Sequence, residues 1–182
     1  MLLHEHLENG ADKNPNFPFS EFEGNSLSYQ EANLLSNQLA NKLVSEGLEV
    51  GDRFAFLAKN CTEMAIMYYA ASKVGAVPVP LNYRLADQEW AYIINDSEAK
   101  LIIVKGNEYS DRINQISSEL KNVKKYISIS LDNSIEKFQD SYVWLSDSSN
   151  EKPTLKIHEN DDVYQMYTSG TTGHPKGAVL LQ

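Results

Sequence analysis

A single cysteine, Cys61, stands in the 182 residues, so no disulfide can form within the chain. That usage fits a reducing compartment. Basic residues are also in deficit: 16 Lys and Arg against 25 Asp and Glu leave a formal charge of −9. Such a surface excludes a general grip on a nucleic-acid backbone, which needs a basic face, and repels an anionic membrane. Long apolar runs are missing too. The most apolar stretch, "MAIMYYAASKVGAVPVP", is interrupted by Lys73 and two prolines and is too short to span a bilayer. The opening "MLLHEHLENGADKNP" lacks the basic start, apolar centre and small-residue cleavage pattern of a secretory signal. A soluble, cytoplasmic chain with one core is expected, with small molecules rather than nucleic acid as partners.

What is present alternates. "SYQEANLLSNQLANKLVSEG" (28–47) predicts a helix capped by Ser28, with Glu31 completing a capping box and Gly47 ending it. Ala32, Leu35, Leu39 and Leu43 form its expected apolar face. Strand "RFAFLA" (53–58) follows, then a helix over 62–75 that is apolar nearly all round. "AVPVPLN" reads as an extended segment whose prolines suit a strand end. A helix from about Asp87, strand "KLIIV" (100–104), a helix over 109–121 and strand "KYISIS" (125–130) complete the series. Repeated strand–helix alternation with buried apolar strands predicts an α/β protein, layered α/β/α around a mainly parallel sheet. The polar stretch 131–160 reads as a surface connection with short irregular pieces.

Several residues invite a function and are better read without one. His4 and His6 lie two apart, on different faces of a helix, so they do not make a metal pair. The segment that holds them is expected to be solvated. Cys61 precedes a helix and is expected to pack rather than react. Tyr68 and Tyr69 read as core or subunit contacts, and the acidic "NDDVY" as a solvated turn before a strand.

Glycine is scarce at nine residues, yet three of them fall within "TSGTTGHPKG" (168–177), after a strand expected over 161–168. Gly170, Gly173 and Gly177 let main-chain N–H groups approach a ligand closely. Thr168, Ser169, Thr171 and Thr172 add hydroxyls, and successive N–H groups in such a turn form an anion-binding nest. Lys176 adds a full charge, worth about 4 kcal/mol at contact distance in a partly wet site. Pro175 restrains the backbone beside it. The chemistry is a grip on a polyphosphate. A plain Gly/Thr turn would not need this set, and the Walker loop fails because Lys176 is flanked by Pro175 and Gly177.

"YTSGTTGHPKG" resembles the phosphate-binding signature of the adenylate-forming enzymes: acyl-CoA synthetases, luciferases and peptide-synthetase adenylation domains. "GNSLSYQEANLLSNQLANKL" and "VGAVPVPLNYRLADQEWAYIINDSEAKLIIV" are similar to upstream stretches of the fatty acid ligases, so the likeness runs from about Phe22 onward. The resemblance implies the large domain of that fold and its reaction. A carboxylate attacks the α-phosphate of magnesium-bound ATP, giving an acyl-adenylate and pyrophosphate, and the CoA thiol then displaces AMP. Thr168, Ser169, Gly170, Thr171, Thr172, Gly173 and Lys176 would hold the β- and γ-phosphates, one threonine would contact Mg2+, and His174 has no implied role. The family's adenine, acyl-pocket and magnesium residues and its C-terminal domain lie beyond the position matching Gln182. The resemblance therefore implies an N-terminal portion, inactive by itself, with exposed apolar surface prone to association, homo-oligomers included. A carrier-protein-loading adenylation domain and a non-catalytic nucleotide-binding or interaction module stay open as alternatives.

Overall fold

The computed structural model describes residues 1–130, 134–168 and 175–182. Helix α1 (Leu3–Lys13) precedes a small antiparallel hairpin, β1 (Pro18–Phe22) and β2 (Asn25–Ser28). Helix α2 (Tyr29–Ser45) starts where its capping pattern dictates. The Ser28 hydroxyl accepts from the Glu31 N–H at 3.3 Å, and the Glu31 carboxylate accepts from the Ser28 N–H at 2.8 Å.

The main body follows as β3 (Arg53–Leu57), α3 (Thr62–Val74), β4 (Val77–Leu81), α4 (Asp87–Asp96), β5 (Leu101–Lys105), α5 (Asn107–Ile116), β6 (Lys125–Ile129), β7 (Phe138–Asp140) and α6 (Ser141–Leu145). The five strands form one parallel sheet in the order β4-β3-β5-β6-β7. Period-two alternation feeds a core on each face. Ala55, Leu57, Ile102 and Val104 meet Trp90, Ile94 and Ile113 from α4 and α5. Phe54, Phe56, Leu101 and Ile103 meet Leu39, Leu43, Met67 and Ala70 from α2 and α3. The expected α/β/α layering with a parallel sheet is the fold observed.

Local differences from the sequence expectation have physical causes. Pro78 and Pro80 lie inside β4, not at its end. They are tolerated because β4 is an edge strand of this sheet and the Val77 N–H faces inward, to Asp52 O at 2.8 Å, which by alternation turns positions 78 and 80 outward. Leu35 is 41% exposed, since the buried stripe of α2 runs through Ala32, Ser36, Leu39, Ala40 and Leu43, one position away. Helix α5 tightens into a 3-10 turn over Ser117–Glu119 and does not continue to Lys121. Within the expected surface connection, the described residues 134–160 do more than connect, for they bury Phe138 and Trp144.

The N-terminal segment departs most. It is helix α1, with His4 and Leu7 buried. Its anchor is Lys73 on α3, only 3% exposed, whose ammonium donates to Glu8 at 3.1 Å, Asn33 at 2.7 Å and Asn37 at 2.8 Å. All three N–H donors are used, as burial of an ammonium demands. The His4 ring Nδ1 lies 2.9 Å from the Ser72 hydroxyl.

Candidate functional site

The chain returns past the sheet as a second hairpin, β8 (Asp162–Thr168) and β9 (Lys176–Leu181), paired antiparallel. Strand β8 runs close to β4 but forms no ladder with it. Two outward-facing prolines leave that edge of β4 without donors at those positions. Side chains of β8 instead reach both helical layers. Tyr164 packs edge-to-face on Tyr68 of α3, with ring centroids 5.4 Å apart. On the opposite face of the strand, Tyr167 packs against the α4–α5 core and donates to Asp96 Oδ2 at 2.7 Å.

Thr168 and Lys176 are cross-strand partners in this hairpin. Directly opposed residues of an antiparallel pair share a face, so the Thr168 hydroxyl and the Lys176 ammonium belong to one face of the hairpin. Both are exposed. Of the residues assigned to the phosphate grip, Ser169, Gly170, Thr171, Thr172 and Gly173 lie outside the described residues, as does His174. Gly177 has a steric reason of its own. A Cβ there would stand 2.7 Å from the Gln165 amide nitrogen and 3.1 Å from the ring of Tyr167, its cross-strand partner.

Reasoning from sequence missed the residues behind the loop. Tyr167 accepts from the Gln165 amide at 3.0 Å while donating to Asp96. Burial first, and then the neighbouring Asp96 carboxylate, hold this phenol well above the ordinary tyrosine range, so it remains a neutral donor. At the other end of the hairpin the Ser72 hydroxyl donates to Gln182 at 2.8 Å. Asp96 and Tyr167 are 71 positions apart, and no local pattern announces their pairing.

Clefts bounded by described residues lie against the sheet. An apolar one of about 520 Å³ lies between α2, α3 and α6, with Leu35, Met67, Ile127 and Trp144 in its wall. A more polar one of about 330 Å³ lies at the carboxyl ends of β3 and β5, bounded by Lys59, Cys61, Lys105 and Tyr109. Burial pushes the Cys61 thiol upward, which disfavours the reactive thiolate. Among the described residues no cluster of three acidic, histidine or cysteine side chains could hold a metal ion. No helix among the described residues is long and apolar enough to cross a membrane.

The layered fold and the glycine–hydroxyl–lysine hairpin agree with a wider comparison: the chain belongs to the AMP-binding enzyme family, whose model matches residues 7–182. Among curated relatives it is 35% identical over 155 residues to the long-chain-fatty-acid–CoA ligase FadD13 of Mycobacterium tuberculosis, covering 84% of this chain and 29% of that ligase. It is 31% identical to the fatty acid–[acyl-carrier-protein] ligase ScoC of Streptomyces coeruleorubidus, over 93% of this chain and 31% of that protein. Among solved structures, the inhibitor-bound N-terminal domain of FACL13 from Mycobacterium tuberculosis matches with a TM-score of 0.83 at 29% identity, covering 99% of this chain and 44% of that one. The chain thus spans under a third of the length of these two curated relatives.

Proposed function

We propose that this chain is the N-terminal portion of an ATP-dependent carboxylate–CoA ligase acting on fatty acids, and that its hairpin loop grips the β- and γ-phosphates of ATP. The observation that carries this reading is the cross-strand pairing of Thr168 with Lys176 at the mouth of the loop, in a chain of the AMP-binding family. The carboxylate oxygen attacks the α-phosphate and the bond to pyrophosphate breaks. Charge grows on the departing pyrophosphate as it does. Lys176 offsets that charge, and the Thr168 hydroxyl donates to a phosphate oxygen. Preorganised donors of this kind act by electrostatic stabilisation and positioning. The CoA thiol then attacks the acyl carbonyl and AMP leaves. Magnesium accompanies ATP as part of the substrate, and the reaction takes place in the cytoplasm. Fatty acids are favoured as substrates because FadD13 and ScoC both take them by name.

Carboxylate-dependent ATP–pyrophosphate exchange tests the proposal, run with fatty acids of several lengths on this chain and on a polypeptide of the relatives' full length. Exchange is expected from the longer form only. There, Lys176→Ala should lower it by about 100-fold, the cost typical of removing one charge-stabilising donor, with an unchanged melting temperature. Unchanged exchange would remove Lys176 from the mechanism. A second acceptor is favoured by the ScoC match: the same adenylate handed to the thiol of an acyl carrier protein. Thioester formation with CoA against holo-carrier protein separates the two.

A further inference from the structure

The loop needs a base that holds Thr168 and Lys176 in register, and most of the hairpin offers little to hold it. Every residue of β9 is exposed. The far end is tied by Tyr164 on Tyr68 and by Gln182 on Ser72. At the loop-proximal end, Tyr167 folds under its pair partner Gly177 and reaches the last residue of α4 through its hydroxyl. Its ring covers the space a side chain at 177 would occupy, so the aromatic and the glycine are one fitted unit. This unit is one residue from Thr168 on one strand and one from Lys176 on the other.

We propose that Tyr167 and Asp96 are positioning residues for the phosphate loop: the phenol–carboxylate bond fixes the mouth of the hairpin against α4, and Gly177 leaves room for the ring that makes it. The inference rests on the phosphate-grip reading of Thr168 and Lys176. Neither side chain needs to touch the nucleotide. The bond restricts how far the Thr168–Lys176 pair can rock away from the α/β layer, and so preserves the spacing between hydroxyl and ammonium before phosphate arrives. A donor paired with a carboxylate is among the stronger hydrogen bonds. Geometry held in advance lowers the ordering cost of binding.

Calorimetric titration of this chain with inorganic tripolyphosphate and with magnesium-ATP is the test. Tyr167→Phe keeps the ring and deletes the donor, and it should weaken binding about tenfold, as loss of a hydrogen bond to a charged group does. Asp96→Ala should match it, and the double variant should be no weaker than either single one, because both act through one bond. Asp96→Asn keeps an acceptor and should rescue binding to within about twofold of the parent. A purely structural role predicts lowered melting temperatures with unchanged dissociation constants, and that result overturns the proposal. If Lys176→Ala abolishes binding while Tyr167→Phe does not alter it, the grip stands and the positioning role falls. If the parent chain binds neither probe, or Lys176→Ala has no effect, the grip reading fails instead. Amide exchange at Thr168 and Lys176 in the ligand-free chain then decides the rest: faster exchange in Tyr167→Phe supports the bond as a clamp on the hairpin, and unchanged exchange overturns it. Asp96→Ala provides the same readout should Tyr167→Phe fail to fold.

Discussion

The five-stranded layer and the β8–β9 hairpin are built from similar apolar and β-branched residues, yet one buries them and the other leaves all of β9 exposed. In β3, Phe54 to Leu57 are all within 1% of complete burial, with helices on both faces. In β9, Val179, Leu180 and Leu181 are 48%, 49% and 57% exposed. The layer draws its stability from apolar burial on two sides, which scales with the area removed from water. The hairpin draws its position from a few directional contacts: Tyr164 on Tyr68, Tyr167 on Asp96 and Gln182 on Ser72. Bulk burial fixes a scaffold, and sparse directional contacts fix the hairpin proposed to meet the nucleotide. Functional segments are commonly drawn from the less stable end of a fold.

The sharpest way to break that contrast is to empty the layer. Trp90 is fully buried, donates its indole N–H to Asn82 O at 2.9 Å and carries the Arg112 guanidinium 3.9 Å from its ring centre. Trp90→Ala should lower global stability by about 3–5 kcal/mol, the range for large aromatic truncations in a core, read by urea unfolding. A change below 1 kcal/mol would mean that the layer is not the stabilising unit. The matching perturbation of the hairpin is smaller and local. Gly177→Ala places a methyl against Gln165 and Tyr167. It should destabilise the hairpin by about 1–3 kcal/mol, as overpacking does. Native-state hydrogen exchange should then show faster opening of β8–β9 with β3 and β5 unaffected.

A subtler effect is expected at the junction of α1 with the layer. Burial holds the His4 imidazole below its ordinary pKa of 6.5, with Lys73 adding to that and Glu8 opposing it. The folded state therefore resists a proton that the unfolded chain accepts. As pH falls below about 6.5 the unfolded state binds more protons and stability declines, until the folded pKa is passed. His4→Gln should flatten that part of the stability–pH curve, as followed by thermal melts between pH 5 and 8. Near the carboxylate range a further decline should come from Glu8. The hydrogen bonds and charges of Lys152 and Lys73 hold its pKa below 4.5 against the opposing effect of burial. The smallest effect belongs to the exposed strand. Val179→Ser and Leu181→Ser should each change stability by no more than about 0.5 kcal/mol, as surface substitutions do. They should still reduce self-association in sedimentation experiments, because they thin an exposed apolar face.

Much of this organisation was legible in the residues, and the reasons are local. The Ser28–Glu31 box marks the start of α2 because both partners lie within one turn. The β3 and β5 runs announce buried parallel strands because both of their faces must be apolar. The stretch between Thr168 and Lys176 made the family legible, since hydroxyls, glycines and a lysine in that order form a long and specific pattern. Leu35 misled because helical periodicity fixes a stripe only to within one position. The first fifteen residues misled because their polar composition hides the single face that carries His4 and Leu7.

By itself, then, the sequence determined the alternation of strand and helix, the parallel sheet with its two apolar faces, and the position of the glycine- and hydroxyl-rich stretch between two strands. Each of these depends on neighbours within a few residues, where propensity, capping and periodicity act. Only the tertiary structure decided that Lys73 is buried among Glu8, Asn33 and Asn37, that Tyr167 meets Asp96, and that Gly177 must stay bare beneath that ring. Those pairings join residues 36 to 71 positions apart or depend on a cross-strand register. A chain cannot encode such contacts in any local pattern, because they exist only once packing has brought the elements together.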